Sequence, residues 1–142
     1  MALTTTEKRA WLEQVPLFQG CAAEVIERLA GMTSEAAFED GQPIVQQGQV
    51  GNGLYIVVSG EARIVAGGEE LARLGAGDFF GELSVIDQRP RIASALAAGP
   101  TVCLALASWD LMSLLGEEPR LALNLLQELA ARLRRADEQL RH

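Results

Sequence analysis

The sequence predicts a mainly β fold with flanking helices. It is an antiparallel β-roll of the jelly-roll or double-stranded β-helix kind, with N-terminal helices and a long C-terminal helix. Three observations predict it. Residues 34–107 carry seven or eight short strand-like runs, cut at regular spacing by glycine and proline. On both sides of that stretch the apolar period lengthens to that of a helix. After Pro119 no breaker appears up to Leu140. The chain has 142 residues, 49% of them hydrophobic, which suits one domain over 1–142. Helices are expected over about 7–32, the roll over about 34–107 and the C-terminal helices over about 108–141.

Residues 7–15 predict a short helix that Pro16 ends, with Val15, Leu17 and Phe18 tucked onto the core. Residues 22–31 place Val25, Ile26 and Leu29 on one face, with Glu24, Glu27 and Arg28 between them. Gly31 is read as the stop. From Ser34 the strands begin, and Ala36, Phe38, Ile44 and Val45 lie among Gly41, Pro43, Gly48, Gly51 and Gly53. Leu54–Val58 is a strand, Ser59-Gly60 its turn, and Glu61–Val65 the next strand. Gly67-Gly68 signals a hairpin into Glu70–Leu74, and Gly75–Asp78 is a loop. Ile92–Ala97 and Thr101–Leu106 read as two further strands, broken by Gly99-Pro100. Ser108 is placed as the N-cap of a helix over Trp109–Leu115 that Gly116 ends, and Pro119 opens the last helix.

In that helix Leu126, Leu129, Leu133, Ala136 and Leu140 step by 3, 4, 3 and 4, a two-heptad seam. Leu121, Ala122 and Leu125 add a second apolar face near its start. Two stripes predict two contacts, one with the chain's own roll and one with the same helix of a second copy, giving a homodimer; the alternative is that both bury against the one domain core.

Charge and composition remove several functions. A net charge of −7 disfavours binding of nucleic acid backbone or anionic lipid. Arg132, Arg134 and Arg135 lie among acids and read as a solvated helix face. There is no apolar run of membrane-spanning length and no apolar signal core at the start, so a cytoplasmic protein is expected. The Met1 start predicts a native N-terminus. Cys21 and Cys103 are far apart and the single histidine, His142, is the last residue. A zinc site, a His-based triad and an iron–sulfur cluster are therefore not expected, nor is an enzyme. Cys103, in an apolar run, reads as a small core residue.

The stretch from Phe79 to Ser94 carries the chemistry. Gly81 lets the backbone approach a ligand, and a turn opening at Gly81-Glu82-Leu83 presents N–H groups that suit an anion. Arg91, after Pro90, has the planar fork that matches a phosphate. Glu82 can accept hydrogen bonds from a vicinal hydroxyl such as a ribose. The ligand these residues suit has both a phosphate and a sugar hydroxyl.

The order of elements and motifs resembles the cyclic nucleotide-binding domain family of catabolite-activator-type regulators, protein kinase A regulatory subunits and nucleotide-gated channels. The resemblance covers roughly residues 11–140. Val15-Pro16-Leu17-Phe18 looks like the family's entry segment. Gly41, Gly48, Gly51-Asn52, Leu54–Val57 and Ser59-Gly60 look like its glycine-marked roll. Phe80-Gly81-Glu82-Leu83 to Pro90-Arg91 looks like its phosphate-binding cassette. The resemblance implies a sensor of cyclic AMP before cyclic GMP, with Glu82 on the ribose 2′-hydroxyl and Arg91 on the cyclic phosphate. It also implies that backbone amides of Gly81, Glu82, Leu83, Ile92 and Ala93 line the phosphate and sugar. At Ile92 the family usually has a small or hydroxylated residue, and a Thr or Ser there favours guanine. Ile92 therefore argues against cyclic GMP and puts bulk beside the phosphate. In the catabolite-activator type a Thr-Ser pair of the last helix meets the adenine, and those positions look like Ala136-Asp137 here. Asp137 accepting from the base, or Arg132 or Arg135 stacking on it, is the implied base lid. The sequence stops at His142 with no helix-turn-helix in it, as a stand-alone sensor or a piece of a longer protein, and the implied output of the sensor is a changed surface for a second copy or a downstream protein. The rival expectation is a roll that has lost nucleotide binding and serves as a dimerisation module.

Overall fold

The computed structural model describes residues 2–51 and 53–141, with the side chain of Arg141 outside the description. Asn52 of the glycine-marked motif, Met1 and His142 lie outside the described residues.

Helix α1 spans Thr5–Leu12. It begins earlier than its apolar pattern because Thr4 and Glu7 form a reciprocal cap, Glu7 N donating to Thr4 Oγ1 at 3.1 Å and Thr4 N to Glu7 Oε1 at 3.0 Å. A 3-10 turn over Pro16–Phe18 follows and buries Leu17 and Phe18. Helix α2, Ala23–Met32, runs through Gly31, and the extended Thr33 ends it instead. Strands β1 (Ser34–Phe38) and β2 (Pro43–Val45) both pair with β6 (Ser94–Ala107). Strand β3 (Gly53–Ala66) pairs with β6, with β4 (Glu69–Leu74) across the Gly67-Gly68 hairpin, and with β5 (Phe79–Phe80).

The described residues hold six strands rather than the seven or eight expected. Ser59-Gly60 does not turn the chain, and Gly99-Pro100 does not break it. Both lie inside 14-residue strands that face each other from Gly53↔Ala107 to Val65↔Ser94. The register slips at Ser59 and Glu61, opposite residues 98–102. Gly60 has φ +81°, and a Cβ there would meet the Pro100 carbonyl oxygen. The two breaker pairs are thus one shared bulge, which bends two long strands around the roll.

Alternation along β3 and β6 serves two cores. Leu54, Ile56, Leu104 and Leu106 pack with the helices, whereas Val57, Ala62, Ala95, Ala97 and Cys103 fill the roll. Burial pushes the Cys103 thiol up to about 11, as a core role requires.

Helix α4 (Ser108–Glu117) passes through Gly116, and Ala107 rather than Ser108 is its N-cap. Helix α5 spans Pro119–Arg141. Leu121 and Leu125 enter the helix-side core and Leu129 packs against it. The expected five-residue seam is therefore divided. Leu126, Leu133 and Leu140 are exposed in one row seven residues apart, while Leu129 and Ala136 turn to the chain's own roll. At about 100° per residue the five share an arc of roughly 80°, and the edge of the helix's contact with its own domain falls inside that arc. Among the described residues no helix is long and apolar enough to cross a membrane.

Candidate functional site

Strand β5 starts the site. Phe79 enters the helix-side core and Phe80 the roll, where its ring stacks on Tyr55 with centroids 5.6 Å apart. The chain then bends at Gly81, whose φ is +94°. A Cβ there would lie 2.7 Å from Arg91 Nη1 and 2.9 Å from the Gly53 carbonyl oxygen, so only glycine fits without displacement. The bend opens α3 (Glu82–Asp87), which Gln88 closes in a left-handed conformation.

The segment after α3 is tied to the loop before β3. Arg91 N donates to Gln49 O and Gly48 N to Arg91 O, both at 2.8 Å. Arg91 is only 8% exposed. Its guanidinium donates to the carbonyl oxygens of Gly53 at 3.0 Å and Gly81 at 3.4 Å. Burial holds its pKa below the ordinary value, and the Tyr55 and Glu82 charges oppose that. Gly51 lies so close to this guanidinium that a Cβ on it would collide.

Glu82 is 5% exposed, and burial raises its carboxyl above the ordinary 4.5 against the pull of Arg132 and Arg91. Its ion-pair partner is Arg132 of α5, Nη1 to Oε1 at 2.8 Å. Arg132 also donates from Nη2 to the Phe79 carbonyl at 2.8 Å, lies 4.4 Å from the Phe79 ring centroid, and bonds Glu128 through Nε at 3.1 Å. It is therefore not part of a solvated face, as its charged surroundings suggested, but the bolt that holds α5 on the cassette. Among the described residues, no ion pair within 4.0 Å joins Arg91 to a carboxylate.

A cavity of about 720 Å³ brings together Gly81, Glu82, Leu83, Arg91, Ile92 and Ala93, with Arg132 and Arg135 on the α5 side. Every expected site residue lines it except Asp137. The helix turns Ala136 and Gln139 toward the cavity instead, continuing the spacing of Arg132 and Arg135. That spacing was the signal that would have found Gln139. Ile92 is 73% exposed, so its bulk sits at the rim. Sequence reasoning also missed the apolar wall of Ile64, Leu71 and Leu74. Leu71 is 56% exposed on a strand that is otherwise almost wholly wet.

The family model for the cyclic nucleotide-binding domain matches residues 35–118. The chain is 42% identical over 130 residues to the cyclic AMP receptor protein of Thermus thermophilus, covering 88% of this chain and 60% of that one. The crystal structure of the Thermus thermophilus catabolite activator protein superposes with a TM-score of 0.79, covering 88% of this chain and 61% of the other. The regulatory domain of Toxoplasma gondii protein kinase A, co-crystallised with cyclic AMP, gives 0.79 at 29% identity over 90% of this chain and 50% of the other. The regulatory subunit of a cyclic AMP-independent protein kinase A from Trypanosoma brucei gives 0.78 at 25% identity, over 89% of this chain and 47% of that one. The chain thus spans from just under half to about three-fifths of the length of these relatives.

Proposed function

The chain belongs to the cyclic nucleotide-binding domain family, and we propose that it is a regulatory module binding a 3′,5′-cyclic nucleotide, cyclic AMP before cyclic GMP, in the roll cavity. The observation that carries this reading is the pairing of a buried guanidinium with a buried carboxylate in one cavity, Arg91 and Glu82. Arg91 keeps N–H groups beyond the two given to carbonyls, and these meet the cyclic phosphate. Glu82 accepts the ribose hydroxyl, with backbone amides of Gly81, Leu83, Ile92 and Ala93 beside the sugar and phosphate. The apolar wall of Ile64, Leu71 and Leu74 takes one face of the base, and α5 covers the other through Arg135, Ala136 and Gln139. Asp137 leaves the lid, and Gln139, which can both donate and accept, suits an adenine edge.

Occupancy reaches α5 through Arg132. A ribose hydroxyl on Glu82 shares the carboxylate that Arg132 grips, so the ligand alters the hold of α5 on the cassette. A ligand shifts that equilibrium only by its differential affinity for the two packings. The output is a homodimer contact through exposed Leu126, Leu133 and Leu140, read by a downstream protein in the cytoplasm. Net charge −7 disfavours direct contact with nucleic acid. The role is regulatory rather than catalytic.

Titration calorimetry with cyclic AMP and cyclic GMP tests the reading. Micromolar binding of cyclic AMP, weaker binding of cyclic GMP and loss of both in Arg91→Ala are expected. Absence of binding by the unmodified chain overturns it. A second reading, self-association without nucleotide, is favoured by the same exposed leucine row and by the cyclic AMP-independent relative. It predicts an unchanged dimer and no thermal shift with either nucleotide.

A further inference from the structure

Arg91 sits in a slot with two sides. One side is Gly51, whose missing side chain leaves room for the guanidinium. The other is the Arg89-Pro90 approach, which sets where the Arg91 backbone begins. One buried hydroxyl joins both sides to the cassette helix. Ser84 Oγ accepts the Gly51 N–H at 2.8 Å and donates to the Arg89 carbonyl at 2.7 Å. Ser84 is as buried as Glu82 and lies two residues after it on α3. Its only proton goes to Arg89, and the Gly51 amide occupies one of its lone pairs, so both bonds are made within the protein.

We propose that Ser84 is a positioning residue for Arg91. Its hydroxyl acts as a crossbar that holds the Gly51 loop and the Arg89-Pro90 segment at a fixed separation and so fixes the depth of the guanidinium. An alanine at this position fills nearly the same space but leaves the part-buried Gly51 N–H and Arg89 carbonyl without the partner that ties them together. The two sides of the slot then move apart, and the planar fork of Arg91 loses its alignment with an anion. The effect on binding passes through the geometry of the fork, which a lysine does not have. This rests on reading the cavity as a cyclic-nucleotide site.

The test is a double-mutant cycle by calorimetry with cyclic AMP as the probe. Ser84→Ala is expected to weaken binding about tenfold in the native background, and by no more than about twofold in Arg91→Lys. Equal losses in the two backgrounds, or no loss in the native one, overturn the proposal. Should Ser84→Ala fail to fold, Ser84→Cys, with a weaker donor and acceptor of similar shape, makes the same comparison. A measurement without nucleotide separates this from the functional reading. The Arg91 Nε–H signal in a nitrogen-correlated spectrum is expected to be dispersed in the native chain and to collapse onto the exposed arginines in Ser84→Ala. An unchanged signal overturns the positioning role. Absence of cyclic AMP binding by the native chain overturns the functional reading, and the spectrum still decides the role of Ser84.

Discussion

The two ends of the cavity are built differently. At the Arg91 end Arg91 and Glu82 are buried, and Arg91 is held by backbone groups of two segments, Gly48, Gln49 and Gly53 before and at the start of β3 and Gly81 at the bend. At the α5 end the walls are an exposed leucine on β4 and exposed positions 135, 136 and 139 on a helix. In the proposed function the first end supplies affinity, and the second, carried on one helix and one strand, supplies selectivity and output. Preorganisation costs least where charge must be met, and adaptability is tolerable where a flat apolar ring is covered.

Substitutions can break this contrast in order of expected effect. Arg91→Ala removes the fixed cation, and cyclic AMP affinity is expected to fall by about a hundredfold or more, the worth of charge-assisted bonds. Calorimetry checks this, and a loss under tenfold would move the source of affinity elsewhere. Gly51→Ala is expected to approach that loss without removing any charge, because its Cβ collides with the guanidinium. Leu133→Asp acts at the other end. It is expected to convert a dimer to monomer by sedimentation while leaving the melting temperature within a few degrees, since Leu133 is exposed.

Glu82→Gln gives a pH signature. Burial raises the folded carboxyl above 4.5 despite Arg132, so the fold favours the protonated form. Stability from this group is greatest below the unfolded value and is lost as pH rises through the raised folded value. Glu82→Gln is thus expected to melt higher than the native chain at pH 7, with the gap closing as pH falls through the raised folded value toward the ordinary carboxylate value. A gap that widens on acidification would contradict the assignment. Smallest is Gln139→Ala. It is expected to weaken cyclic AMP about threefold with cyclic GMP unchanged, and so to lower the preference for cyclic AMP by the same factor, measured as a ratio of dissociation constants.

The roll, its flanking helices and the pairing of Glu82 with Arg91 in one site were legible because each is written locally. Period changes mark the elements, and a glycine followed by a carboxylate and an arginine after a proline marks the cassette. The bulge was not. Ser59-Gly60 and Gly99-Pro100 read separately as two breaks, and only their lying opposite each other makes them a bend in continuous strands. Arg132 was legible as a charge and not as a bolt, since its partners Glu82 and Phe79 are 50 and 53 residues away.

The sequence by itself determined the order of helix and strand, the acidic surface and the residue types of the cassette, because periodicity and turn chemistry act over a few neighbours. Only the tertiary structure decided which face of α5 meets the roll. It set Arg132, Arg135 and Gln139 on the cavity, with Asp137 off its lining and Leu126, Leu133 and Leu140 exposed. The reason is rotational. A helix pattern fixes angles between residues on its own surface, but the absolute rotation is set by what it packs on, here Leu121 and Leu125 in the core and Arg132 on the buried carboxylate of Glu82.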